Sequence, residues 1–249
     1  MLISEEQRHF FLDECRDARA QVLKDTENFA SAIQAVERFG RFLKPDGLTL
    51  GHYKDSIENF CDEADMFRAM SSWSGRDYKS LYRYVIEARN ESMHVGATAR
   101  HAALNAMILL LLIEDSLLRD CSTMNDFMVS DPVCAETWQQ IGLIRQKMLT
   151  NSFSFLPVIP NKAGEDWKLI SDAELSRYLR SSSGQRKKRL ATTLEHAVND
   201  GVKLEAVICR LSTDPIEDVL THLDQRPVLL FEDTENTRLL GLITAFDLL

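Results

Sequence analysis

Arg89, Asn90 and His94 form the one motif in this 249-residue chain whose residue types suit phosphodiester chemistry, in the pattern Arg-Asn-x-x-x-His. An imidazole titrates near neutral pH and takes a proton from a hydroxyl. A guanidinium stays charged and donates paired hydrogen bonds to phosphate oxygens, where it stabilises a transition state with extra negative charge. Asn90 orients either group without titrating. Together these residue types could activate a hydroxyl group and stabilise its attack on a phosphodiester without a metal ion.

The spacing of this motif constrains how its side chains meet. Residues five apart on a straight helix point in different directions, at about 100° per residue. Arg89 and His94 therefore need either a helix that breaks at the motif, before Gly96, or the pairing of two chains. The structural alternative is that His94 lies in the core and that Arg89 pairs with Glu91 or Glu114.

A second candidate site lies at the end of the chain. Gly241 to Leu249 read Gly-Leu-Ile-Thr-Ala-Phe-Asp-Leu-Leu, which predicts a strand that ends at Thr244 and a helix with Asp247 in its first turn. A carboxylate accepts both hydrogen bonds of a cis-diol, and a helix N-terminus adds donors for anions. An earlier copy has Ser171 as the hydroxyl, but Glu174 stands in place of aspartate. The structural alternative is that both copies are ordinary helix caps.

These two copies form an internal repeat. A helix precedes Pro157-Val158 in the first copy and Pro227-Val228 in the second, and each copy continues to an apolar strand with its hydroxyl residue. The segment from Ser181 to Arg189, Ser-Ser-Ser-Gly-Gln-Arg-Lys-Lys-Arg, predicts a flexible linker between the copies.

Hydrophobic periodicity separates a helical first region from a mixed second one. Apolar spacing predicts helices in the first region at about 28–43, 53–66, 78–89 and 99–119, after a capping box at Ser4 and Gln7. The second region alternates predicted strands at 153–159, 167–170, 206–209, 227–231 and 239–243 with helices at 136–149, 172–180, 193–200 and 216–223. The fold class predicted is α+β, an all-α helical bundle over 1–122 followed by an α/β region over 123–249.

Composition bounds the class of protein. The chain carries 29 basic and 38 acidic residues, a net charge of −9, and 45% hydrophobic residues. This balance is typical of a globular protein and argues against a constitutively basic surface for duplex DNA or membrane. Five scattered cysteines without a CxxC pair predict neither disulfides nor a structural zinc, and favour a reducing cytoplasm. The first residues show no signal pattern, and the longest apolar run, Ala106 to Ile113, predicts a buried helix rather than a membrane span.

The two regions resemble two known families. The Arg-Asn-x-x-x-His motif in a helical setting resembles the signature of HEPN domains, many of which are metal-independent endoribonucleases whose sites meet at a two-fold interface. The repeat resembles a CBS pair, with copies at about 127–180 and 190–249. In that family the hydroxyl and the acidic residue hold the ribose of an adenine nucleotide, which implies nucleotide-binding roles for Ser171, Thr244 and Asp247.

These resemblances imply a cytoplasmic homodimer with RNA as substrate and an adenine nucleotide as regulatory ligand. Arg89, Asn90 and His94 would be catalytic, with no metal and no cofactor for the chemistry, and no membrane partner. The alternative hypothesis is a non-catalytic, nucleotide-sensing adaptor that acts through dimerisation and a partner protein.

Overall fold

The computed structural model describes residues 3–91, 96–119, 121–162, 164–180, 182–220, 222–223, 226–235 and 237–248. The chain divides into two compact units, Met1–Cys121 and Ser122–Leu249. The first is all helical, whereas the second combines helices with two four-stranded sheets. The predicted α+β fold class is therefore confirmed.

The described residues of the helical unit form six helices and a short 3-10 turn at Thr26–Asn28. The helices are α1 Glu5–Lys24, α2 Phe29–Leu43, α3 Leu50–Cys61, α4 Asp65–Ser74, α5 Tyr78–Glu91 and α6 Gly96–Leu118. The capping box that starts α1 is present, with Gln7 N donating to Ser4 Oγ at 3.2 Å and Ser4 N donating to Gln7 Oε1 at 3.1 Å. The prediction of a single helix over 53–66 was wrong about where that helix ends. Helix α3 ends at Cys61, the chain then turns, and α4 begins at Asp65.

Helix α6 is the centre of this unit, because α1 to α5 all pack against it. Its segment Arg100–Leu118 has the length and apolar composition of a membrane-crossing helix, yet 61% of that segment is buried inside the protein. Leu109, Leu110 and Ile113 have no exposed surface. The prediction that the apolar run is a core helix is confirmed.

One ion pair is buried in this helical core. Arg19 on α1 donates from Nε to Glu114 Oε1 at 2.6 Å and from its terminal nitrogen to Glu114 Oε2 at 2.8 Å, and Glu114 is only 6% exposed. Burial raises the pKa of Glu114, and the Arg19 guanidinium opposes that rise. The bidentate geometry compensates the carboxylate for its lost hydration.

The second unit contains α7 to α12 and β1 to β8. Its helices are α7 Met124–Phe127, α8 Ile141–Asn151, α9 Asp172–Leu179, α10 Ser183–Ala191, α11 Leu194–Asn199 and α12 Glu217–Leu220, with a 3-10 helix at Ala245–Leu248. Its strands are β1 Val129–Ser130, β2 Ala135–Glu136, β3 Phe155–Ile159, β4 Lys168–Ser171, β5 Glu205–Ala206, β6 Ile208–Leu211, β7 Val228–Phe231 and β8 Leu239–Ile243. The predicted linker was wrong, because α10 occupies most of it.

The two sheets have the same strand order and the same strand directions. In each sheet, three strands come from one copy and the fourth comes from the other copy. In the first copy β2 runs parallel to β3 and β3 antiparallel to β4, and in the second copy β6, β7 and β8 repeat this pattern. Strand β1, near the start of the first copy, pairs with β8 of the second copy, and β5, in the first part of the second copy, pairs with β4 of the first copy.

The short helices at the start of each copy are exchanged in the same way. The first residues of α7 donate backbone hydrogen bonds to the loop after β6, and the first residues of α11 donate matching bonds to the loop after β2. The pairs are Met124 N to Asp214 O (2.9 Å), Asn125 N to Ser212 O (2.8 Å), Leu194 N to Gln139 O (2.9 Å) and Glu195 N to Thr137 O (2.9 Å). The exchange thus satisfies helix-end donors in both copies.

Removal of Arg19 is expected to destabilise the helical unit strongly. Arg19→Leu leaves Glu114 buried without its partner, which costs about 3–5 kcal/mol of unfolding free energy. The double variant Arg19→Leu/Glu114→Leu recovers most of this loss, as urea denaturation would measure. Arg83→Leu, which breaks an exposed pair with Glu87, is the control and costs about 1 kcal/mol or less. A loss in Arg19→Leu no larger than in this control would contradict the assignment.

Substitution at Gly241 is expected to loosen the strand exchange. A Cβ on this residue of β8 would lie 2.7 Å from both Met128 Sδ and the carbonyl oxygen of Val129, which begins β1. Gly241→Ala should therefore lower the stability of the second unit by about 1–3 kcal/mol. Gly184→Ala in α10, where nothing lies within 4 Å, is the matched control and should be neutral or stabilising. Hydrogen exchange of the β1 amides measures the effect, and unchanged protection in Gly241→Ala would count against it.

Candidate functional site

Thr244 and Asp247 lie together at the end of β8. Asp247 Oδ2 accepts hydrogen bonds from the Thr244 backbone N–H and from Thr244 Oγ1, both at 2.7 Å. Both residues are partly exposed, and Asp247 Oδ1 has no hydrogen bond with any described residue. Since the Thr244 hydroxyl proton points to Asp247, Thr244 can only accept from a ligand, whereas Asp247 keeps one oxygen for a ligand hydroxyl.

This hydrogen-bond pattern alone is a helix cap rather than a sign of a ligand site. Thr123 and Asp126 repeat it at the start of α7, where Asp126 Oδ2 accepts from Thr123 N at 3.0 Å and from Thr123 Oγ1 at 2.8 Å. Asp126, however, is only 7% exposed. What separates the Thr244 corner from this cap is its exposure and the charged groups around it.

Basic side chains lie at the same edge of the sheet as Thr244. Val228 pairs with Ile243, so the connection that leads into β7 and the residue that follows β8 meet at one edge. Arg226 lies in this connection, is exposed, and donates to the carbonyl of Ala206 just before β6 at 3.4 Å. A terminal nitrogen of Arg210 lies 3.0 Å from His222 Nε2 in the same connection. The edge therefore combines a carboxylate for hydroxyl groups with guanidinium groups for anions.

Sequence analysis missed these basic residues, although a signal was present. The copies align on Pro157 and Pro227, and the residue before the proline is Leu156 in the first copy but Arg226 in the second. A comparison of the copies at this position would have singled out Arg226. Arg210 and His222 carry no such signal, because their proximity depends on how the residues after α12 return to the sheet.

The matching corner of the first copy is closed. Ser171 is 4% exposed, and its Oγ accepts from the Glu174 backbone N–H at 3.3 Å. Glu174 is 7% exposed; its Oε1 accepts from Lys203 N at 3.0 Å, and its Oε2 forms an ion pair with Arg177. Both carboxylate oxygens are therefore engaged within the protein, and the corner joins α9 to the segment that precedes β5.

In the helical unit, the described part of the Arg-Asn-x-x-x-His motif lies at the end of α5. The Arg89 side chain is 44% exposed, and its Nε lies 2.7 Å from Glu37 Oε1 on α2; Asn90 is exposed. Arg89 thus pairs with Glu37 and not with Glu114, which is bound to Arg19. His94 lies outside the described residues. Helix α5 ends at Glu91 and α6 begins at Gly96, so Arg89 and the residues after Gly96 belong to different helices.

Burial disfavours the thiolate form of four of the five cysteines. Burial raises the pKa of Cys61 to about 12 and that of Cys134 to about 11, and it also raises the pKa of Cys15 and Cys209. Little thiolate is present at neutral pH when the pKa is this high, so thiol catalysis is disfavoured at these four positions.

Solved structures that are similar to part of this chain include CBS-domain proteins. No protein-family model and no curated protein matches it. Among solved structures, a CBS domain-containing protein of unknown function from Bacillus anthracis is 15% identical, with a TM-score of 0.41 and coverage of 50% of this chain and 88% of its own. A CBS-domain protein from Agrobacterium tumefaciens is 16% identical, with a TM-score of 0.37 and coverage of 51% and 90%. CBSX2 in complex with AMP is 16% identical, with a TM-score of 0.38 and coverage of 50% and 91%.

Proposed function

We propose that this chain is a nucleotide-responsive regulatory protein whose second unit is a CBS pair with one adenine-nucleotide site. The observation that carries the proposal is the corner of the second copy. There, Asp247 keeps a carboxylate oxygen for a ribose hydroxyl, and Arg226 lies at the same sheet edge. A cis-diol and a phosphate group on one small ligand would satisfy both groups together.

The charges favour a phosphorylated ligand over a nucleoside. The chain has a net charge of −9, so an anionic ligand is repelled except where cations gather. Arg226 lies in the connection that enters β7 at the sheet edge where β8 ends, and the Arg210–His222 pair adds positive charge to the same connection. In this proposal Asp247 selects the ribose, and the arginines select the phosphates.

The proposal assigns the ligand to the second copy alone. In the first copy the longer Glu174 side chain is buried and bound to Lys203 N and Arg177, and Leu156 stands where the second copy has Arg226. Ser171 then acts as a helix cap for α9 rather than as a ligand contact. One nucleotide per chain is the expected stoichiometry.

Nucleotide binding is expected to depend on Asp247. Titration calorimetry with AMP, ADP, ATP and cyclic dinucleotides should show one site per chain for at least one of them. Asp247→Asn should lower the affinity for that ligand roughly tenfold to a hundredfold, because a hydrogen bond to a charged group is lost. Asp233→Asn is a matched control, because Asp233 also binds a threonine, Thr237, but in the hairpin at the opposite end of β7 and β8. Flat titrations with all these ligands would refute the site.

A second variant separates the phosphate contact from the ribose contact. Arg226→Gln should lower the affinity for ADP or ATP. The affinity for adenosine should not change, because adenosine has no phosphate. Ser171→Ala should leave the stoichiometry at one. An equal loss for adenosine in Arg226→Gln would mean that Arg226 supports the fold rather than the ligand.

For the helical unit we propose a HEPN-like domain whose Arg89, Asn90 and His94 cleave RNA in a homodimer under nucleotide control. The exposed positions of Arg89 and Asn90 at the end of α5 support access by a polynucleotide. The alternative output is a non-catalytic adaptor that docks a partner protein. The ion pair of Arg89 with Glu37 motivates this alternative, because RNA would have to compete with a carboxylate for the guanidinium.

RNA cleavage is expected to depend on the motif and not on metal. The chain incubated with RNA should cleave it equally with and without EDTA, and Arg89→Ala and His94→Ala should each abolish cleavage. Arg83→Ala, an exposed arginine on the same helix, is the control. Cleavage that survives His94→Ala, or that EDTA removes, would contradict the mechanism. No cleavage by the unsubstituted protein, together with nucleotide-dependent self-association, would support the adaptor.

A further inference from the structure

Helix α10 presents a concentration of positive charge on an acidic protein. Residues 176–193 contain six cations and no acidic residue, in a chain of net charge −9. The cations are Arg177, Arg180, Arg186, Lys187, Lys188 and Arg189. A basic run of this kind is often only a solvated surface. We therefore ask which of these side chains have a partner within the protein and which are available to a ligand.

Two of the six cations have structural partners. Arg189 donates to the Tyr178 carbonyl at 2.6 Å, and its guanidinium carbon lies 4.8 Å from the centre of the Tyr178 ring. Arg177 forms an ion pair with Glu174. Arg180, Arg186, Lys187 and Lys188 are exposed, and their side chains have no hydrogen bond or ion pair with any residue that the structure describes.

Three of these cations, Arg186, Lys187 and Lys188, lie on a helix that is held in place rather than on a flexible linker. Helix α10 packs against α8 and α9. The absence of a side chain at Gly142 on α8 lets the Leu190 carbonyl approach closely, since a Cβ there would lie 3.1 Å from that oxygen. The contact of Arg189 with Tyr178 holds the same end of α10 against α9. A fixed helix loses less conformational entropy on binding than a linker does.

We propose that α10 is a docking helix for the phosphate backbone of single-stranded RNA, with Arg186, Lys187 and Lys188 as the contacts; these side chains leave the helix about 100° apart, so the strand follows the surface of α10 rather than one face of it. The choice of RNA rests on the proposed ribonuclease output. An anionic membrane fits less well, because the apolar residues of α10 are only Leu190 and Ala191, and Leu190 packs against Gly142, so no apolar face remains to insert. Neutralising phosphates releases condensed counterions, which makes such binding salt-dependent.

The experiment uses a labelled 2′-O-methyl oligouridylate and fluorescence anisotropy over a series of KCl concentrations. This probe has no free 2′-hydroxyl and so cannot be cleaved by the proposed reaction, and no nucleotide is added. Binding is therefore measured whether or not the catalytic and nucleotide-binding proposals hold. The test variant is Arg186→Gln/Lys187→Gln/Lys188→Gln, in which glutamine preserves the helix propensity of α10.

The matched control is Lys24→Gln/Lys79→Gln/Lys162→Gln, which removes the same three charges from exposed positions elsewhere. The α10 variant should lose about tenfold or more in affinity at low salt. Its slope of log K against log [KCl] should fall by about 2, at about 0.7 for each of three lost contacts. The control should retain the slope of the unsubstituted protein.

Three results would overturn the proposal. One is an equal loss in both triple variants, which would assign the effect to net charge. Another is an unchanged slope in the α10 variant. The third is tighter binding by the unsubstituted protein to an oligoglutamate peptide or to phosphatidylserine vesicles than to the oligouridylate, which would assign α10 to an acidic protein or a membrane. Circular dichroism checks that the helix content of each variant is retained.

Discussion

The exchange of strands between the two copies is the constraint on which the second unit depends. Each copy supplies three strands of its own sheet, and the fourth strand comes from the first part of the other copy. An unpaired edge strand exposes a row of backbone donors and acceptors, and the exchange pairs those of β4 and β8. Neither copy completes its sheet alone, so the duplicated sequence folds as one cooperative body with two related corners.

The two corners differ in the length of their acidic side chain and in its exposure. In the first copy, glutamate reaches the Lys203 backbone N–H and becomes buried, where it stabilises the start of the second copy. In the second copy, the shorter Asp247 reaches only Thr244 and keeps an exposed oxygen. Buried carboxylates need every lone pair satisfied, whereas an exposed one has water as a partner until a ligand replaces it. One duplicated turn thus supports packing in one place and, in our proposal, binding in the other.

The longer helices and strands could be predicted from the sequence. Each of them buries one face, and this burial leaves a regular spacing of apolar residues along the chain. Strands β3, β4, β7 and β8 lie within about two residues of their predicted positions. Strands β1 and β2 were not predicted, since two residues carry no periodicity. Helix α10 was also missed: its serines and glycine are typical of linkers, and the contacts that hold it come from Gly142 and Tyr178, far away in sequence.

The residues of a candidate site could be predicted only where they are close together in the sequence. Thr244 and Asp247, three residues apart across a turn, lie together as their spacing predicts. Arg226 and Ala206 meet only because β6 and β7 are parallel neighbours, which no local pattern indicates. In the same way, the pairing of Arg89 with Glu37 depends on the packing of α5 against α2.

The strand exchange also suggests how a ligand at the second copy would influence the rest of the chain. Leu242, two residues before Thr244, pairs with Val129 of β1, the first strand after the helical unit. In our proposal, a nucleotide bound at the end of β8 would therefore act on the strand by which the chain enters the second unit, through backbone hydrogen bonds rather than through a distant side-chain path. Regulation requires that the nucleotide bind two states of this strand pair with different affinity. The short β1, with only two paired residues, is the element whose attachment such a ligand would change most easily, because few hydrogen bonds hold it to β8.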